Sequence, residues 1–410
     1  MMRNFPTLFL GVLLLAFSGS LAAQAIADDK EEIPPDMKLV HTEKFSAWKF
    51  EFSEDGSTFI MVDDFDYPDN VTDFRLYRSS DFSVLEHKDK THAWDLTKSA
   101  EENINSNNIW RDIRFAGYID ANTWYYVEQI KTSYKNIPKG IAPSCDRECD
   151  ALAVHIKTIH PPQEIYAHSF DVAELGGRGH YRMATANSRY VFFGYGASLL
   201  DWRTNETRPF PKMPRVLSMV GFKLTRKGQI LIIGTEKSVL AAPFKNDKAE
   251  SLDIGGELAP DERHMVSIKD NGECVVWQFE ERREVGRCGT GRMFGFGIEA
   301  LRLAFSPDGK TFATSVNQKI RVYSIEPFRL LMEITAPQTV TTLALSSDGR
   351  LAGAYGDGRF RVWEMPSGKL VGQGEGVRGR SLAFQPGGNL LAAWAVSDVL
   401  FFELPARAGE

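Results

Sequence analysis

Three stretches in the last third of the chain carry the same order of apolar and polar positions. A short apolar run ends in a polar turn in Leu301-Arg-Leu-Ala-Phe-Ser-Pro-Asp-Gly-Lys310. Thr342-Leu-Ala-Leu-Ser-Ser-Asp-Gly-Arg350 and Ser381-Leu-Ala-Phe-Gln-Pro-Gly-Gly-Asn389 repeat it. The turn positions Asp308, Asp348 and Gly387 lie 40 and 39 residues apart by subtraction. Each turn is followed by an apolar run, a small turn and a further strand-like run: Ile320–Tyr323, Phe360–Trp363 and Leu400–Phe402. Polar turns between apolar runs predict antiparallel hairpins. Four such strands in a period near forty predict the blade of a β-propeller.

Tyr323-Ser324, Trp363-Glu364 and Phe402-Glu403 close the third strand of each unit, and Asp357 stands in the turn before it, with Asp270 and Asp398 placed comparably. These residues resemble the WD-repeat family, which keeps a Trp-Asp pair and an Asp at those places. The family's Gly-His pair is absent from the three clear units, and no unit has a true Trp-Asp. The resemblance implies an all-β ring with an incomplete side-chain network. Pro366-Ser-Gly-Lys369 is also similar to the repeats of quinoprotein propellers.

The same signal extends upstream. Phe52-Ser-Glu-Asp-Gly56 is the repeat turn more than two hundred residues earlier, and weaker copies fall near 120, 187, 227 and 261. With the turns near 55, 308, 348 and 387 this predicts eight four-stranded blades, or seven if one weak copy is not a blade. The last unit supplies only three strands, ending at Leu404. Met37–His41 reads as a lone strand that would complete it, leaving no unpaired edge inside the ring. Residues 37–406 are therefore expected to form one propeller closed by an N-terminal strand, after a charged linker at 28–36.

The pattern is broken by insertions at 63–73, 88–108 and 132–150. In the strand order that the resemblance implies, all three belong to the second-to-third turns and blade connections, which share one face. Long loops on a scaffold are where function concentrates. Asp64, Asp66, Tyr67, Trp94, Trp110 and Tyr134 are the candidate contacts of such a rim. The acidic loop 63–73 lacks the Gly and the closing Glu of a calcium-binding hand, so it reads as a solvated loop with no metal.

Composition narrows the classes. Hydrophobic residues make up 43% and charged residues 25% of the chain, as in globular proteins. A formal net charge of −6 gives no basic footprint for nucleic acid. Arg3, the apolar Phe5–Phe17 and the small residues around Ala23 to Ala27 read as a signal peptide over 1–27. That core falls short of the ~20 residues of a membrane span, so no stable membrane insertion is expected after cleavage. An exported chain with four cysteines suggests disulfides. Cys274 and Cys288 are equidistant from a turn at Glu281 and so would face each other across a hairpin. Cys145 would then pair with Cys149.

Catalytic signatures are absent: no His-Glu-x-x-His, phosphate loop, haem motif or Gly-x-Ser-x-Gly occurs. His155 and His160 straddle a strand and its turn, the places of packed or solvated histidines. Arg111, Arg114, Arg182, Arg378 and Arg380 precede or begin inner strands, where they would line the channel mouth. The sequence thus predicts a periplasmic or secreted, monomeric, non-catalytic ring without a cofactor. It would hold a protein or peptide partner on its insertion-bearing face. The alternative is a periplasmic propeller enzyme of the quinoprotein-dehydrogenase or hydrolase type, which lacks an adjacent Cys-Cys pair or a convergent acid–His set here.

Overall fold

The computed structural model describes residues 36–45, 47–63, 74–88, 110–133, 148–171, 184–193, 198–209, 219–234, 237–242, 244–245, 248–268, 273–289, 301–316, 318–376, 381–394 and 398–406. Every regular element among them is a strand, and the strands form eight separate four-stranded antiparallel sheets. Strand β1 (Leu39–Glu43) belongs to the last sheet. The first blade holds β2 (Ala47–Phe52), β3 (Thr58–Asp63), β4 (Phe74–Arg78) and β5 (Val84–Lys88). The second holds β6 (Trp110–Tyr118), β7 (Thr123–Ser133), β8 (Glu148–Thr158) and β9 (Gln163–Asp171). The third holds β10 (Ala184–Ala186), β11 (Tyr190–Phe193), β12 (Ser198–Asp201) and β13 (Glu206–Pro209). The fourth holds β14 (Met219–Leu224), β15 (Ile230–Gly234), β16 (Ser238–Ala241) and β17 (Ala249–Leu252). The fifth holds β18 (Glu257–Leu258), β19 (His264–Ile268), β20 (Glu273–Gln278) and β21 (Arg283–Gly289). The sixth holds β22 (Leu301–Phe305), β23 (Thr311–Val316), β24 (Lys319–Ser324) and β25 (Arg329–Thr335). The seventh holds β26 (Val340–Leu345), β27 (Arg350–Tyr355), β28 (Phe360–Glu364) and β29 (Leu370–Gly374). The eighth holds β30 (Ser381–Phe384), β31 (Leu390–Trp394), β32 (Val399–Glu403) and β1. The fold is an eight-bladed β-propeller, not a seven-bladed one.

The repeat turn explains itself chemically. Ser53 Oγ donates to Asp55 and accepts the Thr58 N–H at 3.0 Å, while Asp55 accepts the Ser57 N–H at 3.0 Å. Ser306 with Asp308 repeats the same bonds, and Ser346 repeats those of Ser53, donating to Asp348 and accepting the Arg350 N–H. Short polar side chains here replace backbone partners, which is how such residues specify turns. Burial alone would raise the Asp55 carboxyl, but the hydrogen bonds from Ser57 and Ser53 outweigh it and hold it below the ordinary range. Gly56 completes the turn at φ +70°, and a Cβ there would collide with the Pro386 carbonyl of the eighth blade. The Gln385 amide donates to the Gly56 carbonyl at 2.9 Å, so first and last blades meet at their turns.

Second and third strands read as continuous apolar runs because neighbouring blades cover both their faces. All six residues of β27 and all four of β11 are buried. Tyr77, Trp277, Tyr323 and Trp363 end third strands, and the fourth strand of each of those blades carries a β-bulge beside its aromatic. The fifth blade keeps part of a polar network: Trp277 Nε1 donates to Ser267 Oγ at 2.9 Å, and Ser267 donates to the Gly255 carbonyl. In the seventh blade Gly353 takes the position of Ser267, and the Trp363 ring packs on it instead.

Strand β1 pairs antiparallel with β32, from Leu39 opposite Phe402 to Glu43 opposite Val399. It starts two residues later than the hydropathy pattern placed it, because Asp36 and Met37 turn instead to β29. In the fifth blade Cys274 and Cys288 face each other in register, with Cα atoms 4.8 Å apart. That is close to the spacing of a non-hydrogen-bonded antiparallel pair and suits a disulfide. Both are buried. Cys145 lies outside the described residues. Non-reducing peptide mapping of exported protein is expected to recover a 274–288 cross-link, a separate 145–149 cross-link and an N-terminus between Ile26 and Lys30. Crossed pairs or an intact Met1 would contradict it.

Candidate functional site

Among the described residues the second blade is taller than its neighbours. Strands β7 and β8 pair over eleven positions, from Thr123 opposite Thr158 to Ser133 opposite Glu148, against five for β3 and β4. At about 3.4 Å per residue the six extra pairs carry this hairpin ~20 Å farther. Strand β6 follows it, from Tyr118 opposite Trp124 to Trp110 opposite Lys131. The extension lies at the end where second strands lead into third strands and where first strands begin. That is the face to which the three insertions were assigned.

At the base of this extension the first two blades meet through charge and aromatic rings. Trp124, Tyr126 and Glu128 alternate along β7, so all three project toward the first blade. Trp124 and Tyr126 pack with Phe74 of β4, their ring centroids 5.2 and 5.3 Å from it. Glu128, 3% exposed, is then a carboxylate where the alternation calls for an apolar side chain. Lys88 Nζ, at the end of β5, lies 2.5 Å from Glu128 Oε1 and 4.4 Å from the Tyr126 ring centre. His155 of β8 stacks on Tyr126 at 4.4 Å, with its ring tilted only 7°. Its Nε2 is 3.6 Å from Glu128 Oε2, an ion-pair distance, and its Nδ1 is 2.8 Å from Glu164. Lys157 bonds Glu86 across the same interface.

Burial alone would raise the Glu128 carboxyl, but His155 and Lys88 pull harder, and its pKa is lowered to about 2. The group is therefore a fixed anion near neutral pH, with no proton to exchange there. This chemistry fastens the blades and does not suit general acid–base work. Position gives the cluster its interest. Phe74 directly follows the segment 64–73, Lys88 directly precedes 89–109, and Glu128 stands on the strand that climbs to 134–147. The clamp holds together the bases of all three.

Asp64, Asp66, Tyr67, Trp94 and Tyr134 lie outside the described residues. Trp110 is placed as the first residue of β6, opposite Lys131 near the far end of the tall hairpin. Of the arginines expected at the channel mouth, Arg111 and Arg114 lie in β6, whereas Arg182, Arg378 and Arg380 lie outside the described residues. The described inner strands use other cations. Lys49 donates to the Ala116 carbonyl at 2.8 Å, Lys223 to those of Leu258 and Ala259 at 3.3 Å, and Arg302 to that of Thr341. Each reaches from one blade's first strand to the next blade's, a ring-building contact missed in the sequence. The signal was a lone cation within an inner apolar run.

The family description "WD domain, G-beta repeat" matches residues 328–364. That span covers β25 through β28. No curated protein matches the sequence. Among solved structures, the computationally designed Ika8 protein is similar to the chain at a TM-score of 0.55 and 12% identity. The similarity covers 90% of this chain and 99% of that one, and at such identity it concerns the fold alone.

Proposed function

From the premise that the chain is a WD40-like β-propeller, we propose that it is an exported, non-catalytic scaffold for a protein or peptide partner. The partner is held on the face bearing the insertions at 63–73, 88–108 and 132–150. The observation that carries this reading is the clamp of Lys88, Glu128 and His155 under a second blade built ~20 Å taller than the first. A fixed, charge-locked base suits a surface that must hold its shape against a partner. WD40 propellers commonly bind proteins, which supports the same reading. The buried Cys274 and Cys288 pair is compatible with an oxidising compartment outside the cytosol.

Asp64, Asp66, Tyr67, Trp94, Trp110 and Tyr134 are the contacts to examine. Binding energy concentrates in a few aromatic or Arg residues, each worth about 2 kcal/mol or more. Shortening each insertion in turn to a tight turn is expected to weaken capture of the native partner from the envelope fraction. At least one shortened chain should lose it while melting normally. If all three fold and retain every partner, the insertion-bearing face is not the binding surface.

A further inference from the structure

Among the described residues, strand β9, at nine residues, is the longest of the eight outer strands. An outer strand exposes a row of unpaired backbone N–H and C=O groups, and proteins guard such edges with cations, Pro, bulges or short length. Pro209 in β13, Arg287 in β21 and Arg329 in β25 stand on those edges. Strands β1, β5 and β29 are only five residues long and β17 four. Strand β9, Gln-Glu-Ile-Tyr-Ala-His-Ser-Phe-Asp, carries no Lys, Arg, Pro or Gly. Beyond a bulge at Ile165, Tyr166–Asp171 runs in unbroken register with Ile156–Ala151. Ile165 is 42% exposed, and Ala167 and His168 are exposed too. The outer strands of the adjacent blades, β5 and β13, have five and four residues, so β9 runs past both.

We propose that β9 is a dimerisation edge, pairing antiparallel with β9 of a second copy about a two-fold axis at Ala167. Read against itself in that register, the strand sets Ala167 opposite Ala167, Tyr166 opposite His168, and Glu164 opposite Phe170. No carboxylate meets a carboxylate, and the Tyr166 ring meets the His168 ring, a pairing that stabilises adjacent strands. A parallel, in-register pair would set Glu164 on Glu164 and Asp171 on Asp171. A two-fold contact of this kind closes as a dimer and does not propagate. This departs from the monomeric ring expected from the sequence and does not depend on the rim.

Sedimentation of the exported chain from low to high micromolar concentration should show a monomer–dimer equilibrium. Ala167→Lys sets two cations together at the axis and is expected to weaken association roughly tenfold or more. An unchanged melting curve for this exposed position separates that loss from misfolding. Ala167→Cys should cross-link to its own copy, since antiparallel partners stand about 4.5–5.5 Å apart. Ser169→Cys should not, because its partner is Ile165. A monomer at every concentration, a dimer indifferent to Ala167→Lys, or a foreign peptide captured on β9 of a monomeric ring would each overturn the proposal.

Discussion

A chain lacking residues 1–41 is expected to lose its cooperative melting transition, whereas one lacking residues 1–27 should melt as the parent does. The strand removed touches three blades. Within the eighth it pairs with β32, and Lys38 adds an ion pair to Glu403 at 3.0 Å. Toward the seventh, the Met37 N–H bonds the Gln373 carbonyl at 2.8 Å, and its side chain is buried against Gly372. Toward the first, His41 stacks on Phe82 at 4.1 Å, and Glu43, left at the cut edge, pairs with Arg75 at 2.9 Å. Phe82 holds φ at +57°. Such a backbone costs a bulky residue on the order of 1–3 kcal/mol and persists only where its surroundings fix it. Without β1 the ring would present β32 as a bare edge beside the apolar first blade. Calorimetry of both truncations decides the matter: equal midpoints and enthalpies would show that the N-terminal strand decorates the ring without sealing it.

What was legible in the sequence was what short-range chemistry specifies. The Ser-x-Asp-Gly turns marked the first, sixth and seventh blades because Ser53, Ser306 and Ser346 bond within five residues of themselves. Cys274 and Cys288 were placed by centring the hairpin on Glu281, and the bulge at Val285 is what brings them opposite, because nearer the turn Gln278 faces Arg283 and Trp277 faces Glu284. Contacts between blades were not legible. Glu128 and Lys88 are 40 residues apart, and nothing near Lys88 distinguishes it from a solvated lysine. The one local trace was at Glu128, a charge in a row otherwise filled by Trp124 and Tyr126. The start of β1 was misplaced for a similar reason. Met37 continues the apolar pattern, yet its backbone bonds a different blade from the one that Leu39 joins.

Replacing Glu128 by Gln should lower stability near neutral pH by about 3 kcal/mol and flatten the acid limb of the stability curve. Its carboxyl has a pKa of about 2 in the folded chain, below the ordinary 4.5. A depressed carboxylate stabilises the fold above its unfolded pKa, and that contribution is lost as pH falls through the folded value. The window is therefore pH 4.5 down to about 2. A difference of roughly 2.5 units corresponds to about 3 kcal/mol. Removing the anion also leaves the Lys88 and His155 groups beside a neutral amide, a cost that replacing the whole pair by apolar residues would avoid. Urea unfolding of the parent and of Glu128→Gln at pH 7, 4 and 2.5 would measure both effects. The parent should lose markedly more stability than the variant between pH 4 and 2.5, so that their curves converge in acid. Parallel curves at all three values would mean that the carboxylate is not held by its neighbours, and the clamp beneath the insertions would then contribute nothing.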